Sequence, residues 1–119
     1  MKISIEHVKG VVTNSLMEGT YKRLKGRENI AIFIRHIPLQ SGNKLRIGYS
    51  TYKIENNSYL VFIDLMHQAN FAHPVIYELH NVEDGSVRRI EEKWPIADPA
   101  IERSLIPLIL PEKEQKGER

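Results

Sequence analysis

Two stretches of this chain carry apolar side chains at consecutive rather than alternate positions, and that feature constrains its fold most. Residues 30–37, Ile-Ala-Ile-Phe-Ile-Arg-His-Ile, are β-branched and mostly apolar on both faces. So is Leu60-Val61-Phe62-Ile63-Asp64-Leu65-Met66, with Asp64 as the one interruption. A strand apolar on both faces belongs inside a sheet, and the sheet then needs cover on each side. The rest of the chain must supply that cover.

The flanking signals are mostly those of short strands. Leu45, Ile47, Tyr49 and Thr51 alternate in a strand running to about Glu55. Asn56-Asn57 fits a two-residue hairpin turn, because asparagine tolerates the positive φ of a type I′ turn. A strand over 59–67 follows, then a loop around Ala69-Asn70, then a strand over 73–81. Asp84-Gly85 turns the chain into a charged strand over 87–93. Residues 2–8 alternate as a short strand, the alternative being a helix capped by Ser4 with Val8, Val11 and Val12 on one face. Ser15 and Glu18 have capping-box spacing, which predicts a helix over about 16–25 ending at Gly26. Asp98-Pro99 opens a last helix, with Ile101, Leu105 and Leu108 as its buried face until Pro107 breaks it. The expected architecture is α+β: an antiparallel β-meander of about five strands, covered by an N-terminal and a C-terminal helix.

With 119 residues the chain fits one domain over 1–111, followed by a flexible charged tail over 112–119. There is no cysteine, so disulfide frameworks, thiolate-bound zinc, iron–sulfur clusters and thiol catalysis are excluded. Seventeen basic against fifteen acidic residues leave +2, too little to imply a polyanionic or membrane partner by itself. No stretch approaches the ~18 consecutive apolar residues of a membrane span, and the first residues are unlike a secretory signal, so a cytoplasmic protein without membrane contact is expected. Walker-A, Rossmann, nucleophile-elbow and kinase patterns do not occur.

Candidate site residues follow from strand registers. A turn at Asn56-Asn57 places Glu55 opposite Ser58 and Tyr49 opposite Asp64. The next hairpin best separates apolar from polar with His67 opposite His73 and Asp64 opposite Ile76. Asp64, Glu78 and His80 then share one face with Leu60, Phe62, Met66 and Ile76, next to Tyr49 and Thr51. Two carboxylates and an imidazole are the ingredients of general acid–base chemistry, since a partly desolvated acid can hold a proton near neutral pH. His67 and His73 could face each other at the hairpin rim as ligands of a divalent metal, though two ligands do not complete a zinc site. No cofactor is otherwise expected. Arg46 and Arg89 are placed to meet negative charge, and Tyr49 to contact a ligand. Lys22, Arg23, Lys25 and Arg27, with Arg88 and Arg89, make nucleic acid a secondary candidate partner, but Glu83, Asp84, Glu91 and Glu92 crowd the second group.

The stretch from Tyr49-Ser50-Thr51-Tyr52 to Phe62-Ile63-Asp64, followed by a histidine-bearing strand, resembles small prokaryotic toxin components built on a β-meander. It covers less than half the chain and lacks a dense histidine run over 73–80. That resemblance implies a small hydrolase or ribonuclease acting through Asp64, Glu78 and His80. The preferred expectation from the residues is a non-enzymatic binding or protein-interaction module. An open apolar sheet face would let it form a homo-oligomer or bind a protein partner.

Overall fold

The computed structural model describes residues 2–17, 30–65 and 72–111. Its elements are α1 (Ile5–Met17), β1 (Ala31–Arg35), β2 (Lys44–Ile47), β3 (Ser50–Lys53), β4 (Ser58–Asp64), β5 (Val75–Asn81), β6 (Val87–Glu92), α2 (Pro99–Arg103) and β7 (Leu105–Ile109). Five strands form an antiparallel sheet in the order β6-β5-β4-β1-β7, and β2 and β3 form a separate two-stranded sheet. The chain is therefore α+β. Only β4, β5 and β6 form a meander, with β1 and β7 added along the other side of β4.

The first segment takes the helical alternative. Ser4 Oγ accepts the His7 backbone N–H at 3.1 Å, which caps α1, and Val8 and Val12, one turn apart, are fully buried. The strand expected over 2–8 therefore does not form, and Ser15 lies inside α1 instead of opening a helix at 16. Residues 18–25 of that expected helix, with Lys22, Arg23 and Lys25, lie outside the described residues, as does the tail over 112–119.

The strand expected over 45–55 is broken at Gly48-Tyr49 into the β2–β3 hairpin. Gly48 has φ +57° and Tyr49 does not have positive φ, the sign pattern of a type II′ turn. A Cβ on Gly48 would lie 2.5 Å from the Trp94 Cβ, so both conformation and space demand glycine. Asn56-Asn57 does not form a type I′ turn, because no described non-glycine residue has positive φ. Asn57 instead accepts the Ser41 N–H on its side chain at 2.7 Å and the Val82 N–H on its carbonyl at 2.8 Å. Tyr49 is accordingly not opposite Asp64, whose partners are Ala31 and Val75.

The last helix is one turn long. Asp98 caps it as expected, accepting from the Ala100 and Ile101 N–H groups at 2.9 and 3.4 Å. None of its residues is fully buried, and only Ile101 packs, partly buried, against the core that holds Leu45, Ile47 and Tyr77, so this single turn is not the covering helix expected. Leu105 and Leu108 belong instead to the edge strand β7, where Pro107 is tolerated because an outer strand can do without one N–H.

The two sides of the sheet are filled by different elements. On one side Phe33, Phe62 and Tyr77 stack across three neighbouring strands, with centroids 6.0 and 4.9 Å apart. There Leu60, Val75, Tyr77, Leu79 and Ile90 pack with Leu45 and Ile47 of the hairpin and with Ile54 and Ile96. On the other side Ile32, Ile34, Val61 and Ile63 pack with Val8 and Val12 of α1. The sheet thus has a hairpin side and a helix side. The expected open apolar face does not form. Leu60 and Phe62 belong to the hairpin-side core, Ile76 packs with the helix-side core, and Met66 lies outside the described residues.

Candidate functional site

The β4–β5 register decides the fate of the expected acid–base site. Asp64 is opposite Val75, one residue from the expected Ile76, and Val61 is opposite Glu78. A slip of one residue moves every side chain of a strand to the other face. Asp64 therefore lies on the hairpin side with Phe62 and Tyr77, whereas Glu78 and His80 lie on the helix side with Val61 and Tyr59. The three residues do not converge, and no shared face brings Tyr49 to them.

Each carboxylate has found its own imidazole. Asp64 Oδ1 is 2.7 Å from His73 Nε2, both side chains being about nine-tenths buried. Glu78 Oε1 is 2.8 Å from His80 Nε2, and Glu78 Oε2 is 3.5 Å from the half-exposed guanidinium of Arg89 on β6. Glu78 and His80 are two apart on one strand, so their side chains rise from the same face. A carboxylate on one ring nitrogen fixes the ring's orientation and tautomer, a positioning effect of real chemical use where the other nitrogen can meet a substrate. His80, however, is only 1% exposed. Among the described residues every buried polar side-chain atom has a partner, as a satisfied core requires. Arg89 serves this buried pair and does not share a surface with Arg88, because adjacent strand residues point to opposite sides.

Of the expected metal ligands, His67 lies outside the described residues and His73 bonds Asp64. Among the described residues no group of three or more histidines and acids is arranged to hold a cation. The cleft lined by Ser58, Asn81, Ser86 and Arg88 holds about 70 Å³, far below the ~300–1,000 Å³ of small-molecule sites.

Arg46 and Tyr49 come together elsewhere, on the hairpin. Along β2 the inward residues Leu45 and Ile47 are fully buried, so Lys44 and Arg46 point outward. Across from them on β3 stand Lys53 and Thr51, with Lys44 opposite Lys53 and Arg46 opposite Thr51. The outer face is thus three cations and a hydroxyl, all exposed. Cross-strand neighbours on one face stand about 4.5–5.5 Å apart, and like charges there repel. None of the three cations is in an ion pair with a described residue.

The hairpin is pinned where it meets the segment after β6. Gly48 donates to the Pro95 carbonyl at 3.0 Å, Ala97 donates to the Arg46 carbonyl at 2.8 Å, and Ile47 bridges Ile96. Tyr49 at the tip is 94% exposed and meets the half-buried Trp94 ring edge-on, centroids 5.8 Å apart at 82°. The Lys93 ammonium lies 5.8 Å from the centre of that ring. At the far end, Arg88 donates to the Lys53 carbonyl at 3.0 Å and lies over the Tyr52 ring, whose hydroxyl donates to the Glu92 carboxylate. That hydrogen bond to a carboxylate raises the Tyr52 pKa above its usual value.

The sequence pattern does not single out Lys44, Lys53 or Lys93 as contact residues. The signal that could have found the first two is the alternation Lys44-Leu45-Arg46-Ile47, whose outward positions are all cationic, followed by Lys53, which a two-residue Gly48-Tyr49 turn places on the same face. Among the described residues no helix is long and apolar enough to cross a membrane. Comparison with known proteins finds no matching family model, no matching curated protein and no matching solved structure.

Proposed function

We propose that the protein is a non-enzymatic binding module, that its contact surface is the outer face of the β2–β3 hairpin, and that its partner is anionic. One observation carries the reading: Lys44 stands directly opposite Lys53 beside Arg46, and none of the three is neutralised by a described acid. Repulsion of this kind works against the hairpin, so a folding role does not account for it. A polyanion would relieve it and release its own counterions on binding. Both sides of the sheet pack against the chain's own elements, which argues against self-association through its faces. Asp64 stands on the opposite face from Glu78 and His80, which argues against a hydrolase acting through the three together.

The test is binding to immobilised heparin, a polyanion without bases, over a salt gradient. The wild-type protein should be retained and should elute with salt. A Lys44→Ala, Arg46→Ala, Lys53→Ala variant should flow through with an unchanged circular-dichroism spectrum. Retention that survives the triple substitution overturns the assignment of the hairpin.

A further inference from the structure

Building on the anionic-partner reading, we propose that the partner is a single-stranded nucleic acid, with phosphates along the Lys44–Arg46–Lys53 face and an unpaired base stacked on Tyr49. Tyr49 occupies a position where the fold has no use for an aromatic ring. At 94% exposure it contributes almost nothing to the core, and a small polar residue would complete a two-residue turn as well. Yet the ring is not a loose tip. It stands edge-on against Trp94, and the backbone beneath it is tied by the Gly48 N–H to the Pro95 carbonyl. An aromatic held in place before a ligand arrives loses little freedom on binding.

What fits such a surface is set by its two halves. The cations ask for a chain of negative charges, and the ring asks for a flat π-surface within reach of that chain. Unpaired nucleotides carry both. A duplex carries the charges but keeps its bases stacked inside, and a sulfated polysaccharide has no bases to offer. Lys93 beside the Trp94 ring adds a fourth cation at the aromatic end. Nearby acids do not erase it: Glu92 is engaged by the Tyr52 hydroxyl, Asp98 is engaged by the N–H groups it caps, and Glu55 lies beyond the end of β3. Recognition by stacking and charge is tolerant of sequence.

The test uses the full chain and labelled oligo(U) and oligo(dT) of about 12 nucleotides, within the ~4–16-nucleotide footprint typical of such surfaces. A blunt duplex of the same length and heparin serve as the other arms. Single strands should bind more tightly than the duplex. Trp94 is the only tryptophan, so its fluorescence should change when single strands bind and stay constant with heparin. Tyr49→Ala should weaken single-strand binding roughly fivefold to a hundredfold, the range for one lost base stack, with heparin retention and thermal midpoint unchanged. Tyr49→Phe should restore it. If duplex and heparin bind as tightly as single strands and Tyr49→Ala changes nothing, the single-strand assignment falls while the anionic-partner reading stands. If no polyanion binds, both fall.

Discussion

Replacing Lys53 with glutamate should make the protein more stable and a weaker binder at once, and that opposition tests the role given to the hairpin. Lys53 stands directly across from Lys44 on an exposed face. Two unit charges about 5 Å apart in water interact by a little under 1 kcal/mol before screening, and measured cross-strand charge pairs are worth about 0.2–1 kcal/mol. Lys53→Glu removes one repulsion of this size and creates one attraction. Salt screening and the nearby Glu55 trim the sum to about 0.5–1 kcal/mol. Only the backbone carbonyl of Lys53 is used by Arg88, so that hydrogen bond survives. For a chain of this length the gain corresponds to a rise of about 2–5 °C in melting temperature, measurable by calorimetry at low salt. In binding, each phosphate neutralised on a single strand contributes about 0.7 to the slope of log affinity against log salt. Losing Lys53 should lower that slope by about 0.7 or more. Lys2→Glu makes the same change in net charge ahead of α1, outside the hairpin, and should leave the slope alone. A Lys53→Glu protein that is less stable, or a Lys2→Glu protein that binds equally poorly, would refute the reasoning.

Four further outcomes are expected. Gly48→Ala forces a Cβ into Trp94 at a φ of +57° and should cost about 2–4 kcal/mol in urea unfolding, with a shifted Trp94 emission. Gly10→Ala lies at an exposed position of α1 with open space around its Cβ, and should stabilise by about 0.5–1 kcal/mol. Glu78→Ala removes the carboxylate that holds both His80 and Arg89, and should cost about 3 kcal/mol, near the lower end for a broken buried pair because Arg89 can turn to water. Burial raises the Tyr77 pKa well above its ordinary value, so the unfolded chain loses this proton first as pH rises. Stability should therefore be unaffected by Tyr77 below about pH 10 and fall above it, and Tyr77→Phe should flatten that fall while costing about 1 kcal/mol for the lost bond to the Trp94 carbonyl.

What the amino-acid sequence determines by itself is local. The Asp98 cap, the Asp84-Gly85 turn, and the existence of strands near 31–35, 58–64, 75–81 and 87–92 follow from side-chain chemistry within a few residues. So does the need for cover on both sides of the sheet, because β1 and β4 are apolar at successive positions. That same property hides the register. Where one face is polar, a slip of one residue is heavily penalised, but β4 is apolar on both faces and tolerates either parity in the pattern. Only the packed sheet chooses, stacking Phe33, Phe62 and Tyr77 across three strands. With that choice Asp64 parts from Glu78 and His80. The hairpin follows the same logic in reverse. Its alternation of buried and charged residues is legible in Lys44-Leu45-Arg46-Ile47, while the break at Gly48 is decided by Trp94, a residue far along the chain that leaves no room for a side chain. Periodicity is a local property and can be read along a chain. Which face meets which partner depends on contacts between residues distant in sequence, and those exist only once the chain has folded.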